Sequence, residues 1–165
     1  VVIGMGMGYT NEELVDLCSA AVFHDLGKIS IDKAILNKPG KLTKEEFDII
    51  KTHTMTGADI LERMMPYQDE ALIKTAYEIC RWHHERYDGN GYPDGISGEE
   101  IPISAQIVSL ADVYVALTSD RVYQTKVSHE RAVEMIRNRE CGVFNPLLLE
   151  CFADIEKKIK ESLTF

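Results

Sequence analysis

Residues 69–84 read DEALIKTAYEICRWHH, and this stretch decides the fold class of the 165-residue chain. Leu72, Ala76, Ile79 and His83 follow one another at intervals of four, three and four residues, which places them along one stripe of an α-helix. The stripe is apolar until it ends in two adjacent histidines. The stretch therefore predicts an amphipathic helix with one face packed on a core and a histidine pair at its end.

The rest of the chain shows the same helical period and the residues that begin and end helices. Thr10 to Glu13 and Thr43 to Glu46 are capping boxes, and the first of these helices is predicted to end near His24–Asp25. Further helix starts are predicted at Ile103, at Ser128 and at Asn145-Pro146. No segment shows the alternation typical of strands. The sequence thus predicts one all-α domain over residues 1–165.

One long segment interrupts the helices. Residues 86–102, RYDGNGYPDGISGEEIP, hold four glycines and two prolines in seventeen residues. The segment is too rich in glycine for a helix and too long for a simple turn, and loops of this kind inside a compact domain are usually functional. We predict a functional loop that places Tyr92 against a base or a partner; a purely structural loop is the alternative.

Composition narrows the classes of function. The net charge of −9 and the pI of about 5.0 are the opposite of the basic charge that proteins need to bind duplex nucleic acid. An acidic chain that handles a phosphate ester needs local positive charge, and bound metal would provide it. No apolar run approaches the ~20 residues of a membrane span, so we expect no membrane contact from this domain.

The cysteine pattern and the first ten residues indicate the cellular compartment in which the chain is expected to function. None of the four cysteines forms a C-x-x-C pair, which is typical of free thiols in a reducing, cytoplasmic compartment. The start, VVIGMGMGYT, is short and lacks a basic region, so it does not resemble a signal peptide. We expect it to be the cut end of a longer chain and the end of a helix.

Histidines and aspartates recur about every thirty residues, at His24–Asp25, His53, His83–His84 and Asp112. In a bundle this interval brings successive helices past a common centre, each with one or two ligands. Imidazole and carboxylate together suit Fe, Mn or Zn better than Mg or Ca. Six protein ligands exceed what one tetrahedral zinc with a water position needs, so two metals are expected, with Asp25 as a bridge. Such a pair can hold a hydroxide that attacks a phosphoester in line.

Each residue alone has a structural alternative. His53 could be a satisfied core histidine, and His24–Asp25 could be a pair at a helix end favoured by the helix dipole. Lys28 is a candidate cation for a phosphoryl oxygen or a surface lysine. The Arg121 guanidinium group is a candidate for bidentate binding of a phosphate; the alternative is an ion pair at a helix end. His129 is interpreted as a solvated helix start. The combination makes the metal site the preferred hypothesis.

Four stretches resemble a known family. The run His24-Asp-Leu-Gly-Lys28 is similar to the H-D-x-G-K signature of HD-domain phosphohydrolases. The run His83-His-Glu-Arg-Tyr-Asp-Gly-Asn-Gly-Tyr-Pro93 resembles the H-H-E-x-x-D-G-x-G-Y-P signature of the HD-GYP subfamily, and residues 101–112 and 117–121 also resemble that subfamily. The resemblance covers residues 9 to 155, and the second motif is highly specific.

The resemblance implies an HD-domain helical bundle with a glycine-rich GYP loop that hydrolyses cyclic di-GMP to pGpG and, in some members, on to GMP. It implies two or three metal ions, Fe or Mn, held by residues that match the family's ligand positions: His24, Asp25, His53, His83, His84 and Asp112. Asp25 and Lys28 would be catalytic, and Lys28 and Arg121 would contact phosphate.

The resemblance also concerns partners and context. The loop at Gly91, Tyr92 and Pro93 would shape the site or dock partners such as diguanylate cyclases, the GGDEF proteins. A homodimer is compatible with the family. Its members usually carry this domain behind a sensor or receiver domain, so the chain would be the N-terminally truncated output domain of a longer signalling protein.

Three positions depart from the family's pattern. The family generally has a further histidine, and in some members a glutamate, about thirty residues before the H-D pair, whereas only 23 residues precede His24. Val115 stands where the family often has Asp, and Gln124 where it often has Lys or Arg. The missing upstream ligand and Gln124 favour an alternative, a catalytically silent module that senses cyclic di-GMP or docks a cyclase. A hydrolase for another cyclic dinucleotide or nucleotide is a third hypothesis.

Overall fold

The described residues of the computed structural model, 1–67, 70–120 and 126–162, form helices and loops without strands. The predicted all-α fold is therefore confirmed. None of the helices in these ranges combines the length and the apolar character needed to cross a membrane. The α-helices are α1 (Val2–Gly6), α2 (Asn11–Ala21), α3 (Lys33–Leu36), α4 (Lys44–Met64), α5 (Glu70–Trp82), α6 (Ile103–Thr118), α7 (His129–Arg137) and α8 (Pro146–Ser162). Short 3₁₀ segments lie at Leu26–Ser30, Met65–Tyr67 and Gly98–Glu100.

The predicted caps begin the helices as expected. Thr10 and Thr43 each complete a capping box, with the side chain of the glutamate three residues on bonded back to the cap. The hydroxyl of Ser128 accepts a hydrogen bond from the Arg131 backbone N–H at the start of α7. Each such cap stabilises its helix by about 1 kcal/mol. Local sequence therefore sets where these helices begin.

The end of α5 differs from the prediction. The helix was expected to include both histidines of its C-terminal pair, but it ends at Trp82. The His83 backbone N–H still donates to Ile79 O over 3.0 Å, whereas the Glu85 N–H turns back to Trp82 O over 3.0 Å. The histidine pair thus lies in a turn because the following loop folds back toward the helix.

The core is centred on α6, which is apolar on most of its circumference. Its Leu110 is fully buried, and its Tyr114 packs edge-on against Phe152 of α8, with ring centroids 5.7 Å apart. Helices α5 and α7 lie against α6, and α1 packs on α8. The site described below lies on the α5 side of this core.

Two glycines allow α4, α5 and the 3₁₀ segment Leu26–Ser30 to approach one another closely. A Cβ atom on Gly27 would lie 1.9 Å from the carbonyl oxygen of His53, and one on Gly57 would lie 2.4 Å from Cys80 Sγ. No side chain fits at either contact. The chain after α2 is therefore held against α4, and this contact brings Asp25 next to His53.

Candidate metal centre

Three imidazoles converge where α4 meets the end of α5. One nitrogen each of His53, His83 and His84 lies within 4.8 Å of the other two. His53 is 0% exposed and His83 is 1% exposed, whereas His84 is half-buried. The predicted convergence of residues separated by about thirty positions is thus present for these three.

Backbone carbonyls orient the histidine rings. Nδ1 of His53 lies 2.7 Å from Ile50 O, and Nδ1 of His83 lies 3.0 Å from Ile79 O. Because a carbonyl oxygen only accepts, each Nδ1 carries the proton and donates it. Nε2 of each ring then keeps its lone pair, and in both residues this buried atom has no hydrogen-bond partner among the described residues.

The carboxylate of Asp25 lies between two of the histidines. Its Oδ2 is 3.3 Å from His24 Nε2 and 2.6 Å from Lys28 Nζ, and its Oδ1 is 3.4 Å from His53 Nε2. Burial opposes its ionisation, but the hydrogen bonds from His24 and Lys28 outweigh burial and hold the pKa of Asp25 well below its usual range. The group is therefore an anion next to two imidazoles.

The surroundings set the protonation states of the histidines. Burial lowers the pKa of His53 and of His84, and it lowers the pKa of His83 to about 3. The hydrogen bond with Asp25 raises the pKa of His24 instead. At neutral pH the three clustered rings are therefore neutral, which is the form that binds metal.

These residues fit a divalent metal. Asp25 Oδ1, His53 Nε2 and His83 Nε2 are buried and have no hydrogen-bond partner within the described ranges. Buried polar atoms without a partner are costly, and a cation would satisfy all three. A donor set of imidazole nitrogen and carboxylate oxygen suits Fe, Mn or Zn.

Two predicted ligands lie at the edge of this cluster. Asp112, on α6, and His24, in the turn after α2, line the same cavity of about 250 Å³. The rest of its wall is mainly apolar and includes Ile107 and Val108. The negative charge of Asp112 contributes to the raised pKa of His24. Both residues face the site region, and their role as ligands stays a prediction.

Of the two residues predicted to contact phosphate, Lys28 lies within the described residues and Arg121 does not. The Lys28 ammonium group lies at the site, where it is bonded to Asp25, and its side chain is 36% exposed. Arg121 lies outside the described residues, as does Gln124. Lys28 is thus beside the metal cluster, and the prediction for Arg121 stays open.

The GYP loop folds back onto the histidine pair. Gly91 passes so close that a Cβ atom would lie 2.4 Å from Glu85 Cα. The Tyr92 backbone N–H donates to His84 O over 3.3 Å, and its ring stacks on the His84 ring with centroids 4.8 Å apart and planes at 27°. Pro93 follows through a cis peptide bond. The loop thus forms one wall of the site.

Glu85 directly follows the histidine pair in the second motif, and no role is predicted for it from the sequence. The side chain is 2% exposed, and its Oε1 accepts hydrogen bonds from the backbone N–H groups of Asp94 at 2.7 Å and Gly95 at 3.0 Å. Burial raises the pKa of this carboxyl group. Its position directly after two histidines and before a glycine-rich loop was the only signal available.

Two further predictions concern residues away from the cluster. His129 begins α7 as predicted, but its half-buried ring contacts the Tyr114 hydroxyl, with Nδ1 2.7 Å from the oxygen, and is not simply solvated. The four cysteines are free, in agreement with the sequence. Neither feature contributes to the metal cluster.

Known proteins resemble this chain over most of its length. A family model described as HD domain matches residues 2–145. A probable cyclic di-GMP phosphodiesterase of Vibrio cholerae is 44% identical over 135 residues, which are 81% of this chain and 31% of that protein. A cyclic di-GMP phosphodiesterase of Thermotoga maritima is 40% identical over 155 residues, which are 94% of this chain and 41% of that protein.

A solved structure has the same fold. The chain superimposes on a cyclic GMP-AMP specific phosphodiesterase of V. cholerae with a TM-score of 0.61 and 21% identity, over 98% of this chain and 41% of that one. The chain spans less than half the length of each of these three proteins. Together with the match over residues 2–145, these comparisons confirm the resemblance carried by the H-D and GYP motifs: the chain belongs to the HD domain family.

Proposed function

We propose that the chain is a metal-dependent phosphodiesterase that hydrolyses cyclic di-GMP to pGpG and, in a further step, to GMP. The observation that carries the proposal is the cluster of the buried His53 and His83 with the half-buried His84, whose ligand nitrogens lie within 4.8 Å of one another. Three relatives that are 40–44% identical are named as cyclic di-GMP phosphodiesterases, one of them as a probable one. Membership of the HD domain family itself implies divalent metal binding.

The donor set supports a specific assignment of the metal ligands. His53, His83, His84 and Asp25 would hold the metal, with His24 and Asp112 completing a centre of two or three Fe or Mn ions. When bound, such metals supply Lewis acidity toward a phosphoryl oxygen and toward water. The neutral imidazoles of His53, His83 and His84 and the ionised carboxylate of Asp25 can bind a metal without first losing protons.

The other residues act on the substrate or on the ligands. Lys28, at the partly exposed edge of the site, keeps Asp25 ionised and can bind a non-bridging phosphoryl oxygen. Gly91, Tyr92 and Pro93 form the wall that limits where the substrate lies. Arg121 is proposed to bind the second phosphate as a planar, two-pronged donor.

Partners and context are also proposals. A diguanylate cyclase would contact the loop at Gly91–Pro93, next to which a cavity of about 240 Å³ is lined by residues of α4, including Lys51 and Met55. A cytoplasmic location is proposed from the four free cysteines. A place as the output domain of a longer signalling protein is proposed from the family resemblance, and a homodimer is proposed with it.

The test is a turnover assay with product analysis. Metal-free chain is supplied with Mn²⁺ or Fe²⁺ and incubated with cyclic di-GMP, 3′3′-cyclic GMP-AMP or a linear dinucleotide. We expect pGpG from cyclic di-GMP and at least a thousandfold loss in Asp25→Asn, because the carboxylate would hold the metal. Asp16→Asn, an exposed carboxylate on α2, is the matched control and should keep full activity.

Other outcomes would change the assignment. Faster turnover of 3′3′-cyclic GMP-AMP than of cyclic di-GMP would make cyclic GMP-AMP the assigned substrate. Binding of cyclic di-GMP without hydrolysis, with metal bound, would support a catalytically silent sensing or docking module. Unchanged activity in Asp25→Asn would contradict the proposed centre.

A further inference from the structure

The rings of the metal cluster are held in place by two different means. Nδ1 of His24, His53 and His83 each contacts a backbone carbonyl oxygen of the preceding turn, at 2.8, 2.7 and 3.0 Å. His84 has no such contact: neither of its ring nitrogens is hydrogen-bonded within the described part of the chain. Its orientation therefore needs another cause.

Aromatic rings surround His84 instead. The Tyr92 ring lies stacked on one side at 4.8 Å and 27°, the His83 ring lies at 4.0 Å and 42°, and the His53 ring meets it edge-on at 5.1 Å and 82°. His53 and His83 belong to the cluster itself, so among the described residues Tyr92 supplies the ring contact from outside the cluster. Stacked and edge-on contacts between rings are directional.

Tyr92 is itself well fixed. Its backbone N–H is bonded to His84 O, and the Phe47 ring of α4 meets its ring edge-on at 6.2 Å and 84°. The Glu85 carboxylate holds the two amides that follow Pro93, so both ends of the Tyr92 turn are tied to the histidine pair. A ring held this way can restrict a neighbouring imidazole.

We propose that Tyr92 is a positioning residue that holds His84 in the orientation in which its nitrogen faces His53 and His83. The inference rests on the metal centre of the proposed function and assigns the tyrosine of the GYP loop a role toward a ligand. Groups that orient a metal ligand typically change metal affinity by 10–100-fold when they are replaced. The tyrosine hydroxyl has no part in this role, whereas the ring is essential to it.

The experiment measures Mn²⁺ affinity by calorimetry, without substrate, together with thermal unfolding of the metal-free chain. Tyr92→Phe keeps the ring and should bind Mn²⁺ like the wild type. Tyr92→Leu should bind roughly 10-fold more weakly. Tyr77→Leu is the matched control: this tyrosine packs edge-on against Trp82 at 5.8 Å, and we expect unchanged affinity.

A second measurement does not depend on any variant. In the NMR spectrum of the wild-type chain, ring protons of Tyr92 and His84 should show cross-relaxation, and its absence would overturn the proposal. The proposal would also be overturned if Tyr92→Leu bound Mn²⁺ as tightly as the wild type. It would be overturned as well if Tyr92→Phe bound Mn²⁺ as weakly as Tyr92→Leu. A chain that binds Mn²⁺ as expected but hydrolyses no cyclic dinucleotide would contradict the proposed function and leave this inference standing.

Discussion

At the scale of single residues, Gly27 controls how closely the H-D turn approaches α4. A methyl group at this position would lie 1.9 Å from His53 O and 2.6 Å from the Gly57 nitrogen, and both of these are backbone atoms. Backbone cannot move aside as the tip of a flexible side chain can. The separation of 3.4 Å between Asp25 Oδ1 and His53 Nε2 therefore depends on the absence of a side chain here.

We expect Gly27→Ala to lower the free energy of unfolding by about 3 kcal/mol, because the added carbon forces the two segments apart. Mn²⁺ affinity should fall with it, since Asp25 and His53 separate. Urea unfolding and calorimetry measure the two effects. Gly8→Ala is the control: nothing lies within 4 Å of the new methyl group, so only the left-handed backbone at φ +82° costs about 1–2 kcal/mol. Equal metal affinity in Gly27→Ala and wild type would contradict this account.

The residue types of the site could be predicted from sequence, but their contacts could not. Spacing predicted that His53 and His83 meet, because in a bundle this interval carries the chain through one helix and back. It could not show that Lys28 bonds to Asp25, since a lysine side chain reaches several acceptors. Nor could it show that His84 is held by stacking, since that depends on the path of a loop.

At the scale of elements, the segment between α5 and α6 is held by its own polar groups. Asp94 accepts hydrogen bonds from Arg81 Nε at 2.7 Å and from Trp82 Nε1 at 2.8 Å, so the loop is tied to the last turn of α5. The Glu85 carboxylate holds the same turn from the inside. Sequence composition predicted an irregular loop here but gave no sign that it is clamped on two sides.

We expect Glu85→Ala to loosen this loop while leaving the helices folded, because the Asp94 and Gly95 backbone N–H groups lose the buried carboxylate that accepts from them. Hydrogen exchange of the Asp94 and Gly95 amides should become at least tenfold faster. Glu100→Ala removes a carboxylate from the exposed capping box at Ser97 and is the control, with unchanged exchange at both amides. Unchanged exchange in Glu85→Ala would show that the clamp is not needed.

At the scale of the whole molecule, the stability of the metal-free chain should depend on pH through the buried histidines. Burial lowers the pKa of His53, His83 and His84 below the ordinary value of 6.5, so the unfolded chain binds more protons than the folded one as pH falls below that value. The raised pKa values of His24 and Glu85 act in the opposite direction, two groups against three. Asp25 stays ionised above its ordinary pKa of 3.8 and contributes no change down to pH 5.

The expected result is a lower urea midpoint at pH 5 than at pH 7 in the presence of a chelator. His53→Gln removes one of the three groups, so its midpoint should change less between the two pH values. A midpoint that rises toward pH 5 would contradict the neutral, buried state of the cluster.

The fold as a whole followed from helical period and caps because these are local properties of sequence. The centre of the bundle did not, since the burial of Leu110 and the packing of Tyr114 on Phe152 depend on segments far apart in the chain. The upstream ligand and the longer signalling protein that the family resemblance implies stay predictions.

The nitrogen and oxygen atoms of the cluster that have no hydrogen-bond partner among the described residues have a consequence for the lifetime of the chain. A ligand that binds only the folded state stabilises it by about 2.7 kcal/mol when present at 100 times its Kd. The clustered ligands come from segments centred on residues 25, 53 and 83, so an unfolded chain offers no comparable site. Metal supply would then govern how often the chain opens to proteases, and a cell short of the bound metal would lose the protein itself as well as its activity.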